Sequence, residues 1–529
     1  AKIGKSVEGI AIYLLNAEKP TFLDEAIWNV EGLHTKRLSG AEGTLSIYSR
    51  GMRSTDSVLM VNGLKFRDPS DTQGSSAPIL QDILLTPYDN LEIVKGSSSS
   101  VAGSTPQGAL INLSRPYGDR ISFTEEAGSM RRFKESLTVS QEFFRLDAIR
   151  MDTDRYHNST FSGSVKLGND RVSIEPSFYH IDSVATLHDA TFIQNGVLFK
   201  DAPNSLDKRE NDLSLYGFKH SFDITDSATI HNDISYTETD RRFVFGSFGS
   251  DGSFSGRDIV ADNYIVLNHS EMFSTSLGFK HEGEDIEITQ VGVVGNREAS
   301  QVSNDLYGEE RIQLRDLSIL VQGRLNNQHG AKSAMTYDIS GVYPIACSWK
   351  VSSHFGTGFR NASLYERYGA YLTSFGIFDI GNVNLSPEKS YTWDGTIAYS
   401  DDKNTLGITQ FVSHVSNPIV LESAIYTNSP NGREAHGVES FYERYFGDFS
   451  YRANYTYTTG ENLIDIPKHE LGNSIIFCRD RFTGSFRVAY KTSKDFATFN
   501  LDTFTADKVK ENGGFVVGAT ASYNINGNI

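Results

Sequence analysis

Residues 452–458, with the sequence RANYTYT, alternate polar and apolar side chains along the chain. Residues 485–491 (SFRVAYK) and 519–525 (ATASYNI) repeat this pattern. A period of two places successive side chains on opposite faces of a β-strand. Each segment therefore predicts a strand that has one polar face and one apolar face.

The same texture extends from about residue 118 to the end of the chain. Tight polar turns separate some of the strands, for example at residues 168–170 and 401–404. Other connections are long and polar, at about 182–213, 237–262 and 366–384. This alternation predicts one rim of short turns and one rim of long loops. The region is long enough for roughly 20 strands of ~9–11 membrane residues each, plus turns.

Two features of these strands favour a membrane barrel. The polar face keeps charges such as Arg452 and Arg487, which suit a wet lumen. The apolar face is rich in Tyr and Phe, which suit the aromatic girdles at the two membrane interfaces. A soluble sandwich or propeller would give the same alternation with its apolar face inward, and stays open as an alternative.

Residues 1 to about 117 predict a small α+β unit. Thr21 is a candidate N-cap for a helix over 25–30, and Gly32 is its candidate stop. Residues 58–66 predict a hairpin that turns at Asn62-Gly63. Residues 91–95 and 109–113 predict two more strands.

Composition excludes several classes of protein. Lys plus Arg is 49 and Asp plus Glu is 66, a net charge of −17 that argues against nucleic-acid binding. The two cysteines, Cys347 and Cys478, cannot build a disulfide framework or a multi-cysteine metal site. No stretch approaches the ~18 apolar residues of a transmembrane helix.

Six motifs, in order along the chain, resemble those of the TonB-dependent outer-membrane receptors. The motifs are residues 46–51 (SIYSRG), 58–63 (VLMVNG), 91–96 (LEIVKG), 108–113 (GALINL), 358–366 (GFRNASLYE) and 381–390 (GNVNLSPEKS). The resemblance covers nearly the whole chain. It implies an all-β transmembrane barrel, antiparallel and of about 22 strands, over residues 118–529. An α+β plug domain over residues 1–117 would sit inside the lumen.

The resemblance also implies a function. A receptor of this family imports a scarce metal chelate without catalysis, so we expect a ferric siderophore first and cobalamin second. We expect a monomer in a lipopolysaccharide-containing outer membrane of a Gram-negative bacterium, pulled open by a TonB-type energy-coupling protein in the periplasm. The family's energy-coupling box is not recognisable in the first nine residues and is expected upstream. The barrel is expected to be complete.

The family holds its plug with two arginines paired to two barrel glutamates. The matching positions are Arg50, Lys95, Asp394 and Glu439. Lys stands for Arg and Asp for Glu at two of them, and Lys pairs as a point charge where Arg forms a fork. The resemblance therefore implies a looser ionic lock at the Lys95/Asp394 corner. The alternative is that these are unrelated solvated charges.

The resemblance places the ligand between apical plug loops and barrel loops. The candidate ligand residues are Arg67, Asp71, Gln73, Ser104, Thr105, Arg241, Arg242, Phe245, Tyr368 and Tyr371. Arginines and aromatic rings suit a bulky, partly anionic chelate. The alternative for each aromatic residue is packing between loops or a place in the outer girdle.

No cofactor is expected. No histidine lies between Arg360 and Leu385, which argues against haem as the ligand. Asp251, Asp258 and Asp262 in one predicted loop could hold calcium, although such acidic loops are usually only solvated. A passive porin, a barrel lipase and a soluble adhesin remain rival classes, and the lipase would need a Ser-His-acid set that the sequence does not suggest.

Overall fold

The computed structural model describes most of the chain, and all structural statements below concern those residues. They are 10–14, 20–28, 30–37, 44–97, 103–104, 107–128, 131–169, 171–188, 192–199, 203–245, 250–290, 297–373, 376–423, 425–500 and 505–523. Within them, no helix is long and apolar enough to span a membrane.

The N-terminal part folds around a five-stranded sheet. The order of its strands is Ile10–Leu14, Asn90–Lys95, Ala109–Ser114, Ser57–Val61 and Leu64–Phe66. The third and fourth strands are parallel, and the other neighbours are antiparallel. Leu33–Arg37 and Leu45–Ser49 form a separate ribbon, and the helical turns are Leu23–Ile27, Ser54–Asp56 and Ala77–Leu80.

The predicted elements of this part are found with altered bounds. The hairpin is confirmed, and Asn62 and Gly63 take the left-handed φ values of 51° and 79° that a tight hairpin turn requires. The helix begins earlier than predicted and ends at Ile27. It ends there because the Val30 amide turns back to the Ile27 carbonyl, and Gly32 then adopts a φ of 75°.

Most of the remaining strands close into an antiparallel barrel, which confirms the predicted fold class. The barrel has 21 strand segments, against about 22 predicted, and the two-residue Leu167–Gly168 continues the segment before it. The segments are Arg120–Ala127, Phe133–Ser140, Phe144–Asp152, Tyr156–Val165, Leu167–Gly168, Val172–His188, Pro203–Thr225, Ala228–Phe245, Ser250–Ser270, Phe273–Gln290, Arg297–Leu314, Leu317–Gln328, Ala334–Ala346, Trp349–Arg360, Glu388–Ser400, Asn404–Ser416, Arg433–Phe446, Phe449–Glu461, His469–Arg479, Phe482–Lys491 and Gly514–Tyr523.

Two of the predicted long loops are mostly strand. Val172–His188 and Pro203–Thr225 occupy the two ends of 182–213 and pair there, and Ala228–Phe245 and Ser250–Ser270 pair through most of 237–262. These strands have 17 to 23 residues, more than the ~9–11 that cross a bilayer, so they extend beyond it at the long-loop rim. Their outer halves read as loop because the regular alternation of apolar and polar residues fades there.

The long-loop rim carries small additional elements. A helix, Leu364–Tyr368, and the hairpin Ala370–Thr373 with Gly376–Asp379 lie in the predicted loop at 366–384. Further hairpins follow at Ile419–Glu422 with Ile425–Asn428, and at Lys494–Asn500 with Thr505–Glu511.

The two faces of the barrel are chemically different. Apolar side chains such as Leu306, Ile339 and Ile408 are exposed on the outer face. The lumen is filled by the N-terminal part, whose apolar core continues into Tyr179 and Leu213 of the barrel wall. The rest of the plug–barrel interface is largely polar, because the lumen side of the strands carries charged and hydroxyl residues.

The apolar outer face predicts that a charged substitution there lowers the free energy of unfolding by an amount that depends on its depth in the membrane. Ile339 lies mid-strand between Val321 and Phe355, so Ile339→Arg should lower the free energy of unfolding in lipid vesicles by about 2–4 kcal/mol. Asn327→Arg, near the long-loop rim, should cost at most about 1 kcal/mol. Urea titration of both variants checks this, and equal costs would argue against membrane burial of this face.

Candidate functional site

Arg50, Lys95, Asp394 and Glu439, here called the charged quartet, lie together between plug and barrel. Arg50 follows the strand Leu45–Ser49 and has a left-handed φ of 48°. Its Nε and Nη2 atoms donate to the two oxygens of Glu439 at 2.9 and 3.2 Å. Its Nη1 atom donates to Oδ2 of Asp394 at 2.8 Å. One guanidinium therefore binds two barrel strands at once.

Lys95 completes the charged quartet from the other side of Glu439. Its Nζ atom donates to Oε2 of Glu439 at 2.8 Å and to the Glu31 carbonyl at 2.9 Å. The predicted Lys95/Asp394 corner is not formed among the described contacts, in which Asp394 is bound by Arg50 and His354. Lys95 pairs with Glu439 because the Glu439 carboxylate and the Glu31 carbonyl both lie within reach of its ammonium group.

Burial and a glycine hold this arrangement in place. Glu439 is 1% exposed, and a Cβ atom on Gly32 would lie 1.9 Å from its Oε1 atom. Only glycine therefore lets the carboxylate approach the plug here. Burial opposes the charge of Arg50, but Glu439 and Asp394 outweigh it and hold the pKa of Arg50 above its usual value.

A second ionic cluster joins the plug to the segments 358–366 and 381–390, two of the motifs on which the family resemblance rests. Arg360 donates to both oxygens of Glu366 at 2.8 and 2.9 Å and to Glu388 at 2.8 Å. Arg53 of the plug donates to the other oxygen of Glu388 at 2.6 Å. The spacing of Arg, Glu and Glu in the two motifs was the signal that could have found this cluster.

Arg67 is buried in a third ionic cluster at the top of the plug. Its guanidinium contacts Asp258 at 3.3 Å, Glu282 at 3.0 Å and Glu284. Lys65 donates to Glu282 at 2.7 Å. Burial, with Arg67 beside it, lowers the pKa of Lys65 to about 8 against the opposing pull of Glu282. The charge of Arg67 is therefore neutralised by carboxylates of the barrel wall.

Gln73 and Ser104, two other candidate ligand residues, line a small cavity next to Arg67. The cavity has room for about one water molecule and is walled by Gln301, Gln328 and Asn361 among others. The Ser104 hydroxyl accepts a hydrogen bond from the Asn361 amide at 3.1 Å. Asp71 does not line the cavity; it accepts from the Ser75 hydroxyl at 2.7 Å, so its carboxylate shapes the plug loop.

The barrel candidates are divided between buried and exposed positions. Arg241 pairs with Asp68 of the plug, and its guanidinium stacks on Phe254 at 5.4 Å. Arg242 faces outward and pairs with Asp251 at 2.7 Å. Tyr368 is 38% exposed at the end of its helix, with the Arg367 guanidinium 5.1 Å from its ring.

Three candidates have side chains that the structure does not describe. Thr105 lies outside the described residues. Phe245 and Tyr371 belong to described strands, but their side chains do not belong to the described part.

The acidic residues proposed for calcium do not share one loop. All three lie on the strand Ser250–Ser270, where the eleven positions from Asp251 to Asp262 span about 36 Å. Asp262 accepts a hydrogen bond from Tyr307 at 2.6 Å. Asp258 instead lies with Glu282 and Glu284 in the Arg67 cluster.

His34 is a buried plug residue that sequence reasoning did not single out. Its Nδ1 atom lies 3.1 Å from Glu470, and its Nε2 atom lies 3.1 Å from the Lys494 ammonium. A neutral ring that donates from Nδ1 to Glu470 and accepts at Nε2 from Lys494 satisfies these two contacts. The Lys491 ammonium, 3.0 Å from Nδ1, then pairs with Glu470 at 3.2 Å. Burial and the flanking Lys491 and Lys494 lower the pKa of His34 to about 4, against the pull of Glu470.

Two family models match the chain. One, the TonB-dependent receptor plug domain, covers residues 2–110, and the other, the TonB-dependent receptor-like β-barrel, covers residues 143–529.

Solved structures with the same fold are similar over nearly the whole chain. The copper transporter OprC is 14% identical, with a TM-score of 0.81 over 99% of this chain and 91% of that chain. A mutant of the ferric enterobactin receptor from Pseudomonas aeruginosa is 14% identical, with a TM-score of 0.79 over 99% and 92%. The siderophore receptor PirA from Acinetobacter baumannii is 12% identical, with a TM-score of 0.79 over 98% and 92%. At these identities the likeness establishes the fold alone.

The charged quartet predicts a large effect of removing its shared carboxylate. Glu439→Gln leaves Arg50 and Lys95 buried with less compensation, so the free energy of unfolding of the plug should fall by about 3–5 kcal/mol. Glu434→Gln, on the same strand but exposed, should change it by less than about 0.5 kcal/mol. Urea unfolding in detergent measures both, and similar values for the two variants would argue against the buried pairing.

His34 predicts a loss of plug stability in acid. Its folded pKa lies below the ordinary value, so the contribution of His34 to stability is constant above about pH 6.5 and is lost as the pH drops towards 4. The full loss is about 3 kcal/mol. His34→Gln should remove this dependence, and His281→Gln, at an exposed position, should keep it. Urea midpoints measured across this pH range test it, and a slope retained in His34→Gln would contradict it.

Proposed function

The chain belongs to the TonB-dependent receptor family, and we propose that it takes up a scarce metal chelate, with a ferric siderophore as the substrate. The observation that carries the proposal is the filled lumen, in which the plug is held by buried ion pairs to several barrel strands. A passive porin would not need a plug domain that fills its lumen. The siderophore receptors among the structural neighbours support the choice of substrate.

The charged quartet is proposed as the ionic lock that keeps the plug closed. Its contacts are charged, and water can replace a charged contact at far lower cost than a packed apolar one when the plug moves. A TonB-type energy-coupling protein in the periplasm would supply the pull. The receptor would work as a monomer in a lipopolysaccharide-containing outer membrane of a Gram-negative bacterium, and the chelate would pass through without a catalytic step.

The ligand residues are reassigned by their contacts. Arg67 and Arg241 already bind carboxylates of the opposite domain, so they are proposed as plug-positioning groups. Gln73, Ser104 and Tyr368 remain as candidate ligand contacts, because they lie at the cavity or are exposed at the long-loop rim. Entry of a chelate would require that the small apical cavity widen.

Ligand titration of the detergent-purified protein tests the proposal. Cobalamin, a copper salt and ferric hydroxamate, catecholate and citrate chelates are added in turn, and quenching of Trp and Tyr fluorescence is followed. Saturable binding of one ferric chelate is the expected result. Binding of cobalamin or copper alone would replace the substrate, and steady bilayer conductance without any binding would favour a porin.

Tyr368→Ala should weaken binding of that chelate roughly tenfold, a loss of about 1.4 kcal/mol. Tyr337→Ala is the matched control, because Tyr337 is exposed on the outer face of the barrel wall. Equal affinities for the two variants would remove Tyr368 from the ligand site.

A further inference from the structure

His354 lies between two carboxylates next to the charged quartet. It stands on the strand Trp349–Arg360, and its register partner on Glu388–Ser400 is Asp394. Its Nε2 atom is 3.0 Å from Oδ2 of Asp338, and its Nδ1 atom is 3.3 Å from Oδ2 of Asp394. The same Oδ2 atom of Asp394 accepts from Arg50 at 2.8 Å. His354 and Arg50 therefore share one carboxylate oxygen.

The geometry constrains the protonation of the ring. An ionised carboxylate can only accept hydrogen bonds, and a neutral imidazole has one N–H group. Two ionised carboxylates, one at each ring nitrogen, therefore require the imidazolium form. The alternative is a neutral ring that accepts from a protonated Asp338, since Arg50 beside Asp394 favours the ionised form of that residue.

A count of nearby charges supports the imidazolium. Arg50 and Lys95 pair with Asp394 and Glu439, and Asp338 beside His354 adds a third carboxylate, while Glu31 has a further partner in Arg452 at 3.1 Å. A protonated His354 balances the three negative charges. It also occupies the place at Asp394 that Lys95 does not fill among the described contacts.

We propose that His354 is a third cation beside Arg50 and Lys95 of the charged quartet and a proton-dependent positioning residue, which holds Asp394 for Arg50 while both ring nitrogens are protonated. This deepens the proposed locking role and rests on it for its consequence in transport. Loss of a ring proton would aim a nitrogen lone pair at a carboxylate, so that Asp338 or Asp394 would be repelled. The hold of Arg50 on the barrel would weaken as the pH rises.

The groups that face His354 come from three elements. Asp338 faces it from Ala334–Ala346, and Asp394 faces it from Glu388–Ser400. The plug contributes Arg50 through Asp394, and the Ser97 carbonyl lies against neighbouring Gly356. The direction is opposite to that of His34, whose neutral form stabilises the plug. The two histidines would give the closed state a low-pH limit and a high-pH limit.

The first test measures the protonation state of the His354 ring in the intact protein. With ¹⁵N-labelled histidine in detergent micelles, His354 should give two ring N–H signals at neutral pH, assigned by their loss in His354→Gln. His34 in the same spectrum should give one. Asp338→Asn, which can donate to the ring from its amide, should convert His354 to one N–H signal. A single N–H in the wild type would overturn the proposal and would indicate a protonated Asp338.

The second test measures, without any ligand, how firmly the plug is held in the barrel. The urea concentration that opens the channel in a planar bilayer is measured at about pH 6 and about pH 9. The wild type should open at lower urea at the higher pH. His354→Gln should open at the lower concentration at both, and His354→Lys should restore the higher one at both. A shift that persists unchanged in His354→Gln would overturn the role of His354.

The two readouts separate this inference from the proposed function. Neither uses a chelate, so a failed ligand titration leaves them intact. His281→Gln, at an exposed barrel position, is the control for a change of histidine alone, and it should keep the wild-type pH shift. Two N–H signals together with no pH shift in channel opening would show a charged ring that does not hold the plug, and would overturn the positioning role.

Discussion

A chain that crosses lipid must satisfy all of its backbone hydrogen bonds internally. No water is available in a bilayer core, so every strand must have a neighbour on both sides and the sheet must close. Closure of 21 segments creates a lumen wide enough for a separate domain. The alternating strands, the apolar outer face and the plug all follow from that closure.

The filled lumen creates an interface that must hold and also release. Apolar packing contributes through Tyr179 and Leu213, but most contacts at the wall are ion pairs and hydroxyl hydrogen bonds. Three of the ionic clusters centre on plug arginines, namely Arg50, Arg53 and Arg67. An arginine forks across two carboxylates, so a single side chain can join two barrel strands to the plug.

The proposed ligand site leaves little open space. Two arginines that look from the sequence like anion receptors are neutralised by the opposite domain, because burial of a guanidinium without a carboxylate is costly. The apical cavity is correspondingly small. The proposed binding of a bulky chelate would therefore require the rim to open, whereas the contacts that hold the plug are already formed.

Alternating strands and the plug hairpin at Asn62-Gly63 could be predicted from the residues alone, because strand periodicity and turn chemistry are local. The closeness of Arg50, Lys95, Asp394 and Glu439 was implied only by the family resemblance. The partners of the individual charges depend on how plug and barrel pack together, which spacing along the chain does not fix. Among the described contacts, Lys95 pairs with Glu439 and not with Asp394. The strands at the long-loop rim continue past the bilayer. His354 gave no signal in the sequence, since its two carboxylates are brought to it by strand register and not by spacing along the chain.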